Sequence, residues 1–310
     1  MSRQFCKPMC IDPRFVRQFG LREVNGVLVR DEDAEEIKRP AAYLLKDGSP
    51  IVYDYANEPT IRAAAETLGT DRSAVAVLPL WGELSMDRPW GTNTRAFARA
   101  IEVLDAAESI STVVIPINSP GGHHEGTPEA AARMRRVRDR GRTKLISVVD
   151  PLMASAASWL GTAVNEVAMT PSGMSGSIGV ITFYADESRW LEEMGIDVTI
   201  ERKPAKKALY SGVEPLTDEG REFLKKMIND AYAAFVADMA LNRGVTKSTV
   251  EAKFGQGEVM LPAEALAAGL IDRIATLEEV IDSIGRPGRP SGRRKASADR
   301  ARAIGLQLGM

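Results

Sequence analysis

Cysteine and histidine occur only twice each in 310 residues, and that scarcity removes several chemistries at once. Cys6 and Cys10 stand near the start with a C-x3-C spacing and no second cluster to complete a metal shell. They read as free thiols of a reducing compartment, so no disulfide framework, structural metal or other cofactor is expected. Net charge is nearly absent too: 40 Lys and Arg face 42 Asp and Glu, so no overall field points to a nucleic-acid partner. Long hydrophobic runs are also missing. The opening MSRQFCKPMCIDPRFVRQFG holds no apolar core of a secretory leader, and nothing later reaches the roughly 18 apolar residues of a membrane span. The reading is a cytoplasmic chain with no membrane anchor.

What is present is alternation. From Ala74 onward, apolar β-branched runs (AVAVLPLWG, TVVIPI, KLISVVD, EVAMT, SIGVITFY) alternate with helical patterns (NTRAFARAIEVLDAA, PEAAARMRRVRD, MASAASWLGTAV). Continuous apolar strands separated by helices predict an α/β domain whose parallel strands are covered on both faces. We place that domain at residues 73–284. Residues 1–72 form an N-terminal extension, mixed or partly disordered, with a strand-like IVYDY and a helix-like TIRAAAETLG. Residues 285–310, rich in Pro, Gly, Ser and Arg, read as a basic flexible tail. Thr217 to Gly244 is the strongest helix pattern: Thr217 as cap, Asp218 and Glu219 in the first turn, a stripe of Phe223, Met227, Ala231 and Phe235, and Gly244 as stop. The stripe serves either the core or a subunit contact.

Four stretches carry chemistry. INSPGG runs a strand into Pro120, Gly121 and Gly122, at the strand ends where α/β ligands usually sit. It is either a plain strand-to-helix turn or a bare backbone that lets a substrate carbonyl approach an N–H, an oxyanion hole; phosphate-loop spacings are absent. Thr127 and Pro128 read as cap and first residue of the next helix. In LISVVDPLMASAASWLGTAV a strand ends at Asp150, and Ser155 falls in the first turn of a small-residue helix with Trp159 and Leu160 on its apolar side. Ser155 is either a capping residue or a nucleophile with the N–H of Ala156 beside it. A nucleophilic serine needs a base. His123 and His124 read as solvated loop residues, although a Ser-His-Asp arrangement would require one of them. The alternative is a lysine from IERKPAKKALYSG, after the strand-like VTIE. A lysine base working near neutrality must lie roughly 3 units below the usual 10.4, which burial in an apolar wall supplies; otherwise this is a charged, solvated loop.

Together INSPGG, MASAASWLGTA, SGSIGV, the lysine loop and LPAEALAAGLID resemble the signal peptide peptidase A family of serine peptidases, from about Ala74 to Ile281. The resemblance implies a Clp/crotonase fold, parallel sheet layers flanked by helices. It implies Ser155 as nucleophile, Lys207 as general base with Lys206 one residue away, Ser177 as the hydroxyl that aims the lysine, and the N–H groups of Gly122 and Ala156 as oxyanion hole, with Gly121 in support. Trp159 and residues near Leu152 would then line a pocket for small or apolar side chains. The soluble branch most similar is the phage head maturation protease. It implies a protein or peptide substrate such as a scaffold or capsid precursor, and a location in host cytoplasm or prohead interior. It also implies a homo-oligomeric ring or dome in which neighbours can share a site, with the helix over Phe223 to Met239 as assembly face. Two rival readings keep the fold: a crotonase-like acyl-CoA hydratase or isomerase, and a non-catalytic scaffold or assembly protein.

Overall fold

The computed structural model describes residues 9–11, 21–24, 27–30, 41–46, 50–87 and 91–284, the first three segments as backbone only. The basic tail expected at 285–310, and Cys6, lie outside the described residues. In chain order the elements begin with β1 (Met9–Ile11), β2 (Leu21–Val24), β3 (Val27–Arg30), β4 (Ala42–Leu45), β5 (Ile51–Tyr53) and α1 (Glu58–Glu66). Next come β6 (Ala74–Val77), β7 (Leu80–Trp81), β8 (Leu84–Ser85), β9 (Thr92–Asn93), α2 (Thr94–Ala106), β10 (Ile110–Ser119), β11 (Gly121–His123) and α3 (Thr127–Arg140). β12 (Lys144–Ala154), α4 (Ala156–Gly161), β13 (Glu166–Met169), β14 (Met174–Gly176), α5 (Ser188–Glu193) and α6 (Asp218–Arg243) follow. α7 (Lys247–Lys253), β15 (Val259–Met260), α8 (Pro262–Ala268), β16 (Arg273–Ile274) and α9 (Leu277–Ile284) complete the described chain.

β10 and β12 are the long central strands, parallel to each other, with β6 parallel to β10, and β13 and β14 both parallel to β12. β4 joins the same sheet antiparallel to β6, and β5 pairs with β4. The expected parallel α/β architecture is what the chain adopts. Side-chain alternation assigns the two faces. Val113, Ile115 and Ile117 of β10 and Leu145 and Val149 of β12 join the large core with α2, α3, α4 and the buried half of α6. Val114, Ile146 and Val148 point the other way, against Val280 and Ile284 of α9. Burial on both faces is why these strands read as continuous apolar runs rather than alternating ones.

Three expectations about elements need correction. β12 does not end at Asp150; it continues to Ala154 by changing neighbours, from β13 over Ile146–Val149 to β14 over Leu152–Ala154. SIGVITFY and VTIE are not strands: after Gly176 the chain is irregular up to α5, and residues 196–200 pair with no strand among the described residues. The α3 cap is Gly126, at φ 82°, with Thr127 the first helical residue; the Thr127 hydroxyl donates instead to the His123 carbonyl at 2.8 Å.

α6 follows its sequence signals. Thr217 Oγ1 accepts from Gly220 N at 3.1 Å, and Gly244 closes the helix in the left-handed region at φ 65°. Its stripe divides: Ala231, Phe235, Val236 and Met239 are buried in this chain's own core, so they are not an assembly face, whereas Phe223 is exposed and stacks on Tyr210 with ring centroids 5.4 Å apart. Removing the cap in Thr217→Ala lowers stability by about 1 kcal/mol, read as a lower urea midpoint at unchanged slope.

Candidate active site

The site is assembled where three strands end. β12 delivers Ser155 directly after Ala154, and the serine is buried to within 1 %. Its backbone stands at φ 53° and ψ −124°, the turn that converts strand into helix α4. Such a conformation costs a non-glycine residue about 1–3 kcal/mol and persists only where the surroundings fix it. Here they do. Ser155 N donates to Gly176 O at 2.9 Å, while Ser158 N and Trp159 N donate back to Ser155 O at 2.8 and 3.2 Å. The buried Ser158 hydroxyl lies 2.8 Å from Met153 O and 2.9 Å from Gly176 O, stapling the end of β12 to β14. Ala156, at the first helical position, presents an N–H with no acceptor inside the helix.

β14 brings the second motif alongside. The bond from Ser155 to Gly176 leaves Ser177 one peptide away, itself at φ 52° and donating its N–H to Glu258 O at 2.7 Å. A Cβ on Gly176 would fall 2.5 Å from Glu258 O, so the glycine is what allows β15 to approach. A groove of about 410 Å³ opens beside Ser177, walled by Ile178, Val180, Ile228 and Tyr232 with Asn229 and Glu251 at its polar side. Desolvation, with the Glu251 charge adding to it, raises the Tyr232 phenol above its ordinary pKa.

The third end is β11. Gly121 lies at φ 99°, and a Cβ on Gly122 would fall 2.0 Å from Leu84 O, so bare backbone is required on both counts. The turn is locked by a residue the motif reading passed over: Ser119 Oγ donates to Gly82 O at 2.6 Å and accepts from Gly121 N at 3.2 Å. α4 packs against β11, so Ser155, Ala156, Gly121, Gly122 and Ser177 belong to one neighbourhood.

Lys207 is not joined to it by any hydrogen bond among the described residues. Its side chain is exposed, and its backbone N–H closes a turn on Pro204 O at 3.0 Å; no apolar wall encloses it among the described residues. Lys206 pairs with Glu219 at 2.8 Å, and that bond, with the carboxylate's charge, raises its ammonium above the usual pKa.

The aromatic expectations and the reading of His123 are overturned. Trp159 does not line a pocket: it is fully buried, stacked on Phe235 at 4.4 Å and 8°, and its indole N–H donates to Asp238 Oδ2 at 2.7 Å. Leu152 is likewise buried, against Met174 and Val259. His123 is no solvated loop residue but 4 % exposed, its Nε2 3.4 Å from the buried Glu83 Oε1, and His124 sits edge-on to Trp159 at 5.7 Å. Neither histidine hydrogen-bonds to Ser155 among the described residues. No sequence signal marked the Glu83–His123 or Trp159–Asp238 pairs, whose partners lie 40 and 79 residues apart.

Comparison with known proteins gives a partial likeness. Residues 138–286 match Peptidase family S49. The matched segment is just under half of the chain. That match includes Ser155, Ser177 and Lys207 and begins after the glycine strand. A Haemophilus influenzae relative named "Probable protease SohB" is 26 % identical over 218 residues, covering 70 % of this chain and 59 % of that one. The "Head-tail preconnector protein GP5" of Enterobacteria phage P21 is 25 % identical over 218 residues, covering 67 % and 42 %. This chain therefore spans less than two thirds of either relative's length. Among solved structures, a ClpP1 of Listeria monocytogenes aligns at TM-score 0.43 and 14 % identity, over 69 % of this chain and 96 % of that one.

Because Ser155 is held at positive φ, Ser155→Gly removes both the hydroxyl and the strain. It is expected to be more stable than Ser155→Ala by about 1 kcal/mol, read from paired denaturation curves.

Proposed function

We propose that this chain is a serine endopeptidase that cuts protein substrates through an acyl-enzyme, with Ser155 as nucleophile and Lys207 as general base. The observation that carries the reading is the elbow: a buried serine on a strained strand-to-helix turn, within the segment that matches Peptidase family S49 and beside a glycine strand stripped of side chains. Neutral Lys207 takes the Ser155 proton as Oγ attacks the scissile carbonyl, and the N–H groups of Gly122 and Ala156 receive the developing oxyanion. Protonated Lys207 gives that proton to the leaving amine, and water repeats the two steps to release the acid. One oxyanion donor is typically worth about 10²- to 10³-fold in turnover. Ser177 aims the amine, and the groove beside it accepts apolar substrate side chains.

The exposed Lys207 bears on the oligomer. A base on the surface of one chain is sunk and desolvated if a second copy closes over it, so the dyad is completed in a homo-oligomer. Phe183, Trp190, Met194, Ile196 and Val198, exposed between β14 and the lysine loop, are the apolar surface for that contact. Lys206, already engaged by Glu219, is the poorer candidate for the base. Among the described residues no helix is long and apolar enough to cross a membrane. The likeness to a phage head-tail preconnector protein supports precursors of a virus head, scaffold or capsid chains, as substrates, met in host cytoplasm or inside the prohead.

The test is co-expression with a neighbouring structural protein and comparison of intact masses. Wild type cleaves it; Ser155→Ala and Lys207→Met lose cleavage by about 10³-fold or more, whereas Lys206→Met retains it. Full proteolysis by Lys207→Met at neutral pH would refute the dyad. Turnover of an acyl-CoA without a covalent serine adduct would select the crotonase-like alternative.

A further inference from the structure

The glycine strand is an interior strand only because the N-terminal segment lies on it. In the sheet ordered β1-β11-β8-β9, β1 is the edge. It runs antiparallel to β11, with Met9 opposite His123, Cys10 opposite Gly122 and Ile11 opposite Gly121. A strand has two edges. β8 closes one edge of β11, so tightly that Gly122 has no room for a Cβ against Leu84. β1 closes the other. Without it, the backbone N–H and C=O groups of Gly121 to His123 would form an open edge, the kind to which an extended peptide adds as a further strand. Residues 9–11 therefore occupy the one side of the glycine strand that a peptide chain can reach, opposite the glycine assigned to the oxyanion.

We infer that Met9–Ile11 is a built-in occupant of the peptide-binding edge, a strap in extended conformation that an incoming substrate chain must displace. The inference rests on the peptidase reading given above. Three residues form a short ladder, so the strap is releasable; its covalent tether gives it a high effective concentration against a free peptide. The device keeps the site closed to adventitious chains and opens it to a substrate that outcompetes the strap or to a partner that draws the N-terminus away.

Two probes separate the strap from the chemistry. A small alkyl fluorophosphonate reads the reactivity of Ser155 without needing the edge; a peptidyl phosphonate needs both. The full chain is compared with a form beginning at residue 12, and with Cys10→Pro and Ile11→Pro in the full chain. Successive N–H groups of a strand point to opposite edges, so one of the two prolines removes a donor to β11. Amide exchange of residues 119–124 is followed in the Ser155→Ala background. Loss of β1 is expected to raise that exchange and to speed peptidyl labelling about tenfold or more, alkyl labelling staying unchanged. The synthetic peptide KPMCIDP should slow peptidyl labelling of the shortened form again. Raised exchange with peptidyl labelling unchanged or slower overturns the strap, leaving a permanent structural strand; unchanged exchange overturns the covering itself. Absence of both labels in every form, with exchange still responding, overturns the peptidase reading instead.

Discussion

The site depends on one backbone constraint, the conformation of Ser155. A residue at φ 53° returns to ordinary strand or helix geometry unless its neighbours forbid it, and five polar contacts do so. The serine's N–H is held by Gly176, its carbonyl by the first turn of α4, and the Ser158 hydroxyl reaches both Met153 and Gly176. Gly176 can serve because it has no side chain to keep β15 away. A strain of about 1–3 kcal/mol is thus spread over contacts that are themselves fully buried, which makes the elbow rigid rather than weak.

The second dependence is on strand ends. β12 changes partner from β13 to β14 at Pro151, and β10 passes an irregularity between Ile117 and Ser119 before its last residue pairs with Met153. Both departures occur at the carboxyl ends of parallel strands, where α/β sheets place ligands. They bring the ends of β10 and β12 alongside β14, next to Ser155 and Ser177. The same region buries the Glu83–His123 contact, 3.4 Å between Oε1 and Nε2, beside the backbone pairing of β11 with β8.

Much of this was legible in the sequence because its signals are local. Alternation of apolar strands with helices, the Thr217 cap, the Gly244 stop and the start of a helix at Ser155 all follow from neighbours in the chain. The failures share one cause: the deciding partner is distant. β12 outruns Asp150 because β14 is waiting, and a proline at that point looks like a stop. SIGVITFY and VTIE have strand composition, but composition supplies no second strand. Trp159 looked like a pocket wall because nothing near it in sequence foretells Phe235 and Asp238. His123 looked solvated because Glu83 arrives from the link between β7 and β8, 40 residues earlier.

α6 links the two halves of the proposed dyad. Near its start Phe223 stacks on Tyr210, three residues beyond Lys207; twelve residues further along, Phe235 stacks on Trp159, in the helix that Ser155 begins. At 1.5 Å of rise per residue those two anchor points stand about 18 Å apart. The rod is therefore a ruler as well as a support: it holds the stretch just beyond the lysine loop and the helix begun by Ser155 at fixed stations along one axis.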